Sequence, residues 1–220
     1  MTGEVPSLKQ DHVEKLIDKK YLKLYDFHYT PERHYYVASR HEADDLTALR
    51  AGEDFRHMYP DAVSCVVIIK CKGKEPLLCL TKEMRFPIGQ YLLGVPAGLL
   101  DPEDLQEGDA VFTAAKRELS EEIGIVWTDA DEIKWINPLL FSSPGMTDES
   151  NAMVQITLNR DTMPELSSDG AVGGESFKDF VLVNREEAKR LLLNGRDDEG
   201  LYYSVFTWIA LTCFVSEIWA

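Results

Sequence analysis

The sequence predicts an α+β fold in which helices pack on a mixed β-sheet, and three observations carry that prediction. Apolar, β-branched runs such as Ala62 to Cys71 (AVSCVVIIKC) have the length and continuity of strands buried on both faces. Segments with the 3.6-residue period of an amphipathic helix occur at residues 109–124 and at Arg185 to Leu193. Strands and helices do not alternate strictly, which argues against a regular parallel sheet with crossover helices. At 220 residues the chain suits one domain, or one domain with an arm.

In chain order, residues 1–20 read as a polar lead with a short helix. Tyr21 to His28 alternates apolar and polar like a half-buried strand, Thr30-Pro31-Glu32-Arg33 supplies a turn, and His34 to Ser39 makes a second strand. The first forty residues therefore form a hairpin arm. A charged connector follows from Arg40 to Pro60, in which Asp44 to Arg50 make two helical turns ending at Gly52. This places an arm and connector at 1–60 and the main domain at 61–220. In that domain Ala62 to Cys71 and Leu77 to Thr81 are strands joined by a turn, and Lys134 to Leu140, Met153 to Leu158 and Phe180 to Val183 are further strands. Arg185 to Leu193 is a helix closed by Gly195. Ser167 to Gly174 reads as a mobile loop. Val205 to Val215 is a core helix, far short of the ~20 apolar residues of a membrane span.

Composition narrows the function. A 45% hydrophobic, 28% charged chain is neither disordered nor fibrous. A net charge of -15 repels a phosphate backbone and anionic lipid, so no nucleic acid and no membrane is expected as a partner. Cys65, Cys71, Cys79 and Cys213 form no CxxC pair and read as buried small hydrophobes in a reducing compartment. With no apolar leader at the N-terminus, a cytoplasmic location is expected. The five histidines show no ligand spacing and receive no role.

The chemistry concentrates in Asp109 to Ile125 (DAVFTAAKRELSEEIGI). At 100° per residue, Phe112, Ala115, Leu119 and Ile123 make one buried stripe. Glu118, Glu121 and Glu122 share the arc beside it, with Asp109 as N-cap and Gly124 as stop. Three neighbouring carboxylates repel one another, and Arg117, although placed to pair with Glu121 at i+4, cannot neutralise all three. A hard divalent cation such as Mg²⁺ or Mn²⁺ can, because it accepts several carboxylate oxygens and keeps waters for chemistry. Just upstream, Pro96-Ala97-Gly98 can bring backbone toward these acids.

This segment resembles the signature of the Nudix hydrolases, G-x5-E-x7-R-E-U-x-E-E-x-G-U with U aliphatic. Arg117, Glu118, Leu119, Glu121, Glu122, Gly124 and Ile125 match it position for position. At residue frequencies of roughly 6% each, the five fixed matches arise by chance about once in 10⁶ windows. Asp109 stands where the pattern has Glu, and ten residues separate it from Gly98 where the pattern has five, an insertion within Leu99 to Gly108. A wider resemblance, to ADP-ribose pyrophosphatases, runs through MRFPIGQYLLGVPAGLLD (Met84 to Asp101), SSPGMTDE (Ser142 to Glu149) and REEAKRLLLNG (Arg185 to Gly195), together with the hairpin arm. Gly94 departs from it, since an acid is often found three residues before the first alanine of PAG, and this implies a site with one ion fewer.

The resemblance implies an α/β/α Nudix-type sandwich, and a homodimer whose arm helps form the adenosine site. It also implies metal-dependent cleavage of ADP-ribose, or a related nucleoside diphosphate sugar, to AMP and ribose 5-phosphate. Carried over at matching positions, Glu118, Glu122 and the Ala97 carbonyl would hold Mg²⁺ or Mn²⁺, Glu121 would be a further ligand or an acid behind the ligands, and Arg85 would face the diphosphate. The base would be a glutamate on a late loop, with Glu175 the first choice and Glu165 and Glu149 the alternatives. Glu149 is otherwise a substrate contact, Tyr21 and Tyr36 offer faces for adenine, and Arg40 reaches a phosphate. Two other readings remain: the same fold acting on a dinucleoside polyphosphate, NADH or coenzyme A, and a Nudix-fold ligand-binding module without catalysis.

Overall fold

A computed structural model describes residues 7–106, 108–171 and 176–218. The chain divides into two compact units, residues 1–60 with 141–150 and residues 61–140 with 151–220.

The first unit is a three-stranded antiparallel sheet in the order β1-β2-β3, with β1 at Val13–Lys19, β2 at Leu22–Thr30 and β3 at Arg33–Ser39. The sequence implied two strands here and a helix in the lead. Instead, among the described residues, only a 3-10 turn at Gln10–His12 precedes β1, which pairs with β2 from Val13↔Phe27 to Lys19↔Leu22. β1 is largely exposed and lacks the apolar alternation that marks a strand, so its conformation comes from the ladder with β2. Tyr25, Phe27 and Val37 point to one face of this sheet and form a small core with Leu8 and Leu46. The connector also differs: Thr47–Leu49 is one 3-10 turn, and the helix α1 starts at Gly52 instead of stopping there, over Gly52–Arg56.

The second unit is a seven-stranded mixed sheet. Its main path runs β10-β5-β4-β9-β8, with β6 paired to β5 and β7 to β4. The strands are β4 (Ala62–Cys71), β5 (Leu77–Arg85), β6 (Gln90–Gly94), β7 (Ala97–Leu99), β8 (Glu132–Phe141), β9 (Ser150–Arg160) and β10 (Phe177–Val183). β4 runs parallel to β9 and antiparallel to β5 and β7. Its unbroken apolar run reflects burial on both faces. Val63, Cys65, Val67 and Ile69 pack under α2 (Ala110–Ile123), and Val66 and Ile68 pack under α3 (Arg185–Asn194) and α4 (Val205–Ser216). This is the α/β/α sandwich that the resemblance implied. α2 is capped as expected: Asp109 accepts from the amides of Val111 and Phe112, and Gly124 takes the left-handed conformation at φ 70. Among the described residues, no helix is long and apolar enough to cross a membrane.

All four cysteines are free and buried. Burial, with the nearby Glu122 charge, pushes the Cys79 thiol up to about 12, which makes it a packing residue.

Candidate active site

The α2 stripe buries Ala115, Leu119 and Ile123 completely, and this anchors the acids beside it at the core boundary. Glu118 is 5% exposed and Glu122 3%, while Glu121 is more open. Two carboxyl groups at that depth require compensation. Glu122 Oε2 accepts the amide of Ala97 at 3.0 Å, so the strand carrying the PAG sequence lies directly over the helix. Gly98 shows how tight that approach is. A Cβ at Gly98 would fall 1.8 Å from Glu118 Oε1 and 2.1 Å from Cδ, so only glycine lets this carboxylate occupy its place.

Arg117 supplies the positive charge. Its Nη1 donates to Glu118 Oε1 at 2.6 Å and to Glu121 Oε2 at 3.2 Å, and its Nη2 donates to the Leu99 carbonyl at 2.9 Å and to Asp104 Oδ2 at 3.0 Å. Burial opposes the charged guanidinium, but the Asp104 hydrogen bond and the charges of Glu118, Asp104 and Asp101 outweigh it and hold the proton more tightly than usual. The insertion in Leu99 to Gly108 therefore has a structural use. It delivers the 3-10 turn Asp104–Gln106, whose buried Asp104 fixes the arginine between the acids. Asp104 carries no motif position, and only the i+4 pair with Glu121 was foreseeable.

The donor set suits a hard divalent cation: carboxylate oxygens on one helix, a backbone strand above them and a cradle that a single Cβ would fill. The departure at Gly94 has a steric origin. A side chain there would begin 2.8 Å from Oγ1 of the buried Thr81 and 3.7 Å from Glu83 Oε2. Glu83 in turn receives Arg85 Nη2 at 2.7 Å, leaving that guanidinium half-exposed at the end of β5.

Of the late-loop acids, Glu175 lies outside the described residues, and Glu165 is exposed. The preceding stretch, read as mobile, is seated on α2 through Ala171: the Ser167 amide bonds to the Ile123 carbonyl, and Gly170 leaves no room for a Cβ against the Glu121 backbone.

The first unit holds the remaining candidates. Arg40 Nε donates to Glu149 Oε1 at 2.6 Å, so the two pair with each other. An apolar cleft of about 500 Å³ opens on the same sheet face as Phe27 and Val37, lined also by Tyr29, Tyr35, Phe55 and Phe141. Phe55 and Phe141 stack at 6.1 Å with their planes 9° apart. Tyr21 precedes β2 and Tyr36 projects from the opposite sheet face, and neither is among the residues lining this cleft. Strand parity could have separated Tyr35 from Tyr36, but the contributions of Phe55 and Phe141 depend on distant chain segments and leave no local signal.

Comparison with known proteins agrees with this geometry. Residues 58–203 match the NUDIX domain family. The chain is 35% identical over 141 residues to "Putative nudix hydrolase 2" of Caenorhabditis elegans (64% of this chain, 59% of that one). It is 26% identical over 127 residues to ADP-sugar pyrophosphatase of Mus musculus (58% and 54%) and 32% identical over 106 residues to ADP-ribose pyrophosphatase of Saccharomyces cerevisiae (48% and 42%). The matches thus span roughly two fifths to three fifths of these relatives' length. A crystal structure of an ADP compounds hydrolase shares the fold at a TM-score of 0.55 and 16% identity, covering 98% of each chain. The carboxylate helix, the glycine that accommodates it and the match over residues 58–203 lead to one assignment: the chain belongs to the Nudix hydrolase family.

Proposed function

We propose that the protein hydrolyses the diphosphate bond of ADP-ribose, or of a closely related nucleoside diphosphate sugar, in a reaction that depends on Mg²⁺ or Mn²⁺ and yields AMP and ribose 5-phosphate. The observation that carries this reading is the pair Glu118 and Glu122, nearly fully buried on one helix face against the Gly98 cradle. Apolar side chains would be more stable there, so the burial of two acids points to a ligand that needs them.

Glu118, Glu121 and Glu122 would hold the metal, with the Ala97 carbonyl as a further oxygen. The metal, when bound, neutralises the diphosphate and lowers the pKa of a coordinated water. Arg117 holds Glu118 and Glu121 in place before the metal arrives, which limits the reorganisation needed on binding. The half-exposed guanidinium of Arg85 is free to exchange part of its Glu83 contact for a phosphate oxygen. Glu175 remains the proposed base, with Glu165 and Glu149 behind it. Glu149 is the weaker of these two, since its carboxylate is already engaged by Arg40.

The aromatic cleft of the first unit supports a flat adenine base. We assign base contact to Tyr35 and Phe55 ahead of Tyr21 and Tyr36. The names of the mouse and yeast relatives favour an ADP-sugar over a dinucleoside polyphosphate, NADH or coenzyme A. A cytoplasmic homodimer completes the proposal, and sedimentation of the purified chain tests the dimer. The substrate is tested by kcat/KM across ADP-ribose, other nucleoside diphosphate sugars, dinucleoside tetraphosphate, NADH and coenzyme A. ADP-ribose should lead the panel, and a clear preference for any non-sugar diphosphate would replace the substrate while leaving the metal assignment standing.

A further inference from the structure

The sheet face opposite the aromatic cleft carries a second cluster of ligand-type side chains, far from the helix motif in sequence. Asp26 and His28 are two apart on β2 and so project to the same side. In the sheet register Glu14 on β1 stands across from Asp26, and His34 on β3 stands across from His28. Three strands thus place four potential ligands on one face. His34 Nδ1 lies 2.7 Å from Asp26 Oδ2, His28 Nε2 lies 3.2 Å from the same oxygen, and Glu14 Oε2 lies 3.7 Å from His28 Nε2. The ligand atoms of Asp26, His28 and His34 all fall within 4.8 Å of one another.

An ordinary ion-pair network accounts for only part of this. Asp26 is 5% exposed, yet its Oδ1 has no hydrogen-bond partner, and the buried His28 Nε2 stands 3.2 Å from Asp26 Oδ2 without the alignment of a hydrogen bond. An unsatisfied carboxylate oxygen at that depth is expensive, and so is a buried imidazole nitrogen without a bond. A cation bound by His28 Nε2 and by both oxygens of the Asp26 carboxylate would satisfy the two. With bonds of ~2.0 Å, a tetrahedral ion sets its ligand atoms ~3.3 Å apart, so the 3.2 Å separation fits as it stands, the His34 contact need open only slightly, and Glu14, outside the group of three, has to turn its exposed side chain inward to complete the set.

We propose that Asp26, His28 and His34, with Glu14 as the fourth ligand, form a binding site for a borderline divalent cation of the zinc class, structural in role and separate in chemistry from the carboxylate helix. Two imidazoles and two carboxylates favour Zn²⁺ over Mg²⁺, which prefers oxygen ligands, and two negative charges balance the ion. His34 binds through an unprotonated Nδ1, its proton carried on Nε2. The bound ion ties β1, β2 and β3 together at one point, on a sheet whose packed core, among the described residues, lies on its other face.

The test uses the full chain with Mg²⁺ in millimolar excess, which occupies the hard-ligand site. Zn²⁺ is titrated against a competing chelator, and Co²⁺ is followed by the strong visible absorption of its four-coordinate form. One equivalent of Zn²⁺ should bind at micromolar affinity or better, give a tetrahedral cobalt spectrum and raise Tm. Glu122→Gln should retain all three signals. His28→Ala should weaken binding by at least about 100-fold, and so should His34→Gln, which preserves a hydrogen bond to Asp26 and guards against a folding defect. Failure of the wild-type chain to bind Zn²⁺ under these conditions, or wild-type affinity in both histidine variants, would overturn the site. Loss of binding in Glu122→Gln would do the same, by assigning the zinc to the carboxylate helix.

Discussion

The two units solve the problem of gathering ligands in opposite ways. In the second unit the acids sit on consecutive turns of one helix, Glu118, Glu121 and Glu122, and an arginine from the same helix holds two of them. In the first unit the cluster comes from three strands, with one or two ligands each, and its geometry is set by sheet register. The helical set is oxygen-only and suits a hard ion that leaves waters for chemistry, whereas the sheet set mixes imidazole with carboxylate and suits an ion that stays. The difference teaches that a ligand set written along one helix is visible as spacing, while one written across strands becomes visible only once the register is known.

The largest effect should come from removing an acid at the helix. Glu122→Gln should lower turnover by at least about 10² while the protein stays folded, since the amide keeps the shape and relieves repulsion. Steady-state rates alongside a thermal melt check both halves of that statement. Gly98→Ala attacks the same site without touching a ligand. By driving a methyl into Glu118, it should reduce turnover comparably and cost about 1–3 kcal/mol of stability, read from denaturant melts. Neither change should alter Zn²⁺ binding on the arm, which is what keeps the two sites distinct.

A purely structural ion pair in the second unit calibrates these effects. The fully buried carboxylate of Asp131 accepts from the amides of Thr128 and Asn159 and from Arg160. Burial alone would raise its pKa, but the Arg160 and Thr128 hydrogen bonds prevail and hold it below the ordinary range. Its stabilising contribution is therefore fully present above the unfolded-state pKa of ~3.9 and is lost as pH falls through the lower folded value. Asp131→Asn should destabilise by about 3 kcal/mol at neutral pH, flatten the acid limb of the stability profile and leave kcat unchanged, as measured by urea melts across pH and by initial rates. The smallest effect is expected in the aromatic cleft. Phe55→Ala removes one stacking face and should raise KM for ADP-ribose about fivefold with little change in kcat.

Sequence and structure agree most closely where periodicity and caps act together. β4 occupies Ala62–Cys71, as its run of β-branched residues implied, and α2 begins after Asp109 and ends at Gly124. Divergence falls where conformation depends on partners. β1 has no apolar alternation and forms because β2 offers a ladder, and β6 and β7 are short segments that only pairing with β5 and β4 defines. The same holds for the site. Glu118, Glu121 and Glu122 were readable from their spacing, but Asp104 acts on Arg117 through a turn inside the insertion. Phe141 reaches Phe55 across a long sequence interval, and the histidines, unremarkable in the linear chain, meet only because Asp26 and His28 share a strand face that His34 adjoins.

The central claim, that the buried acids of α2 exist to hold a catalytic divalent ion, is tested most directly by the rate of AMP release from ADP-ribose in the wild-type protein and in Glu122→Gln, each with Mg²⁺ and with the metal chelated. The account predicts rapid release only from the wild type with Mg²⁺, restored after chelation when the metal is returned. Equal release with and without the metal, or near-wild-type turnover in Glu122→Gln, would contradict it.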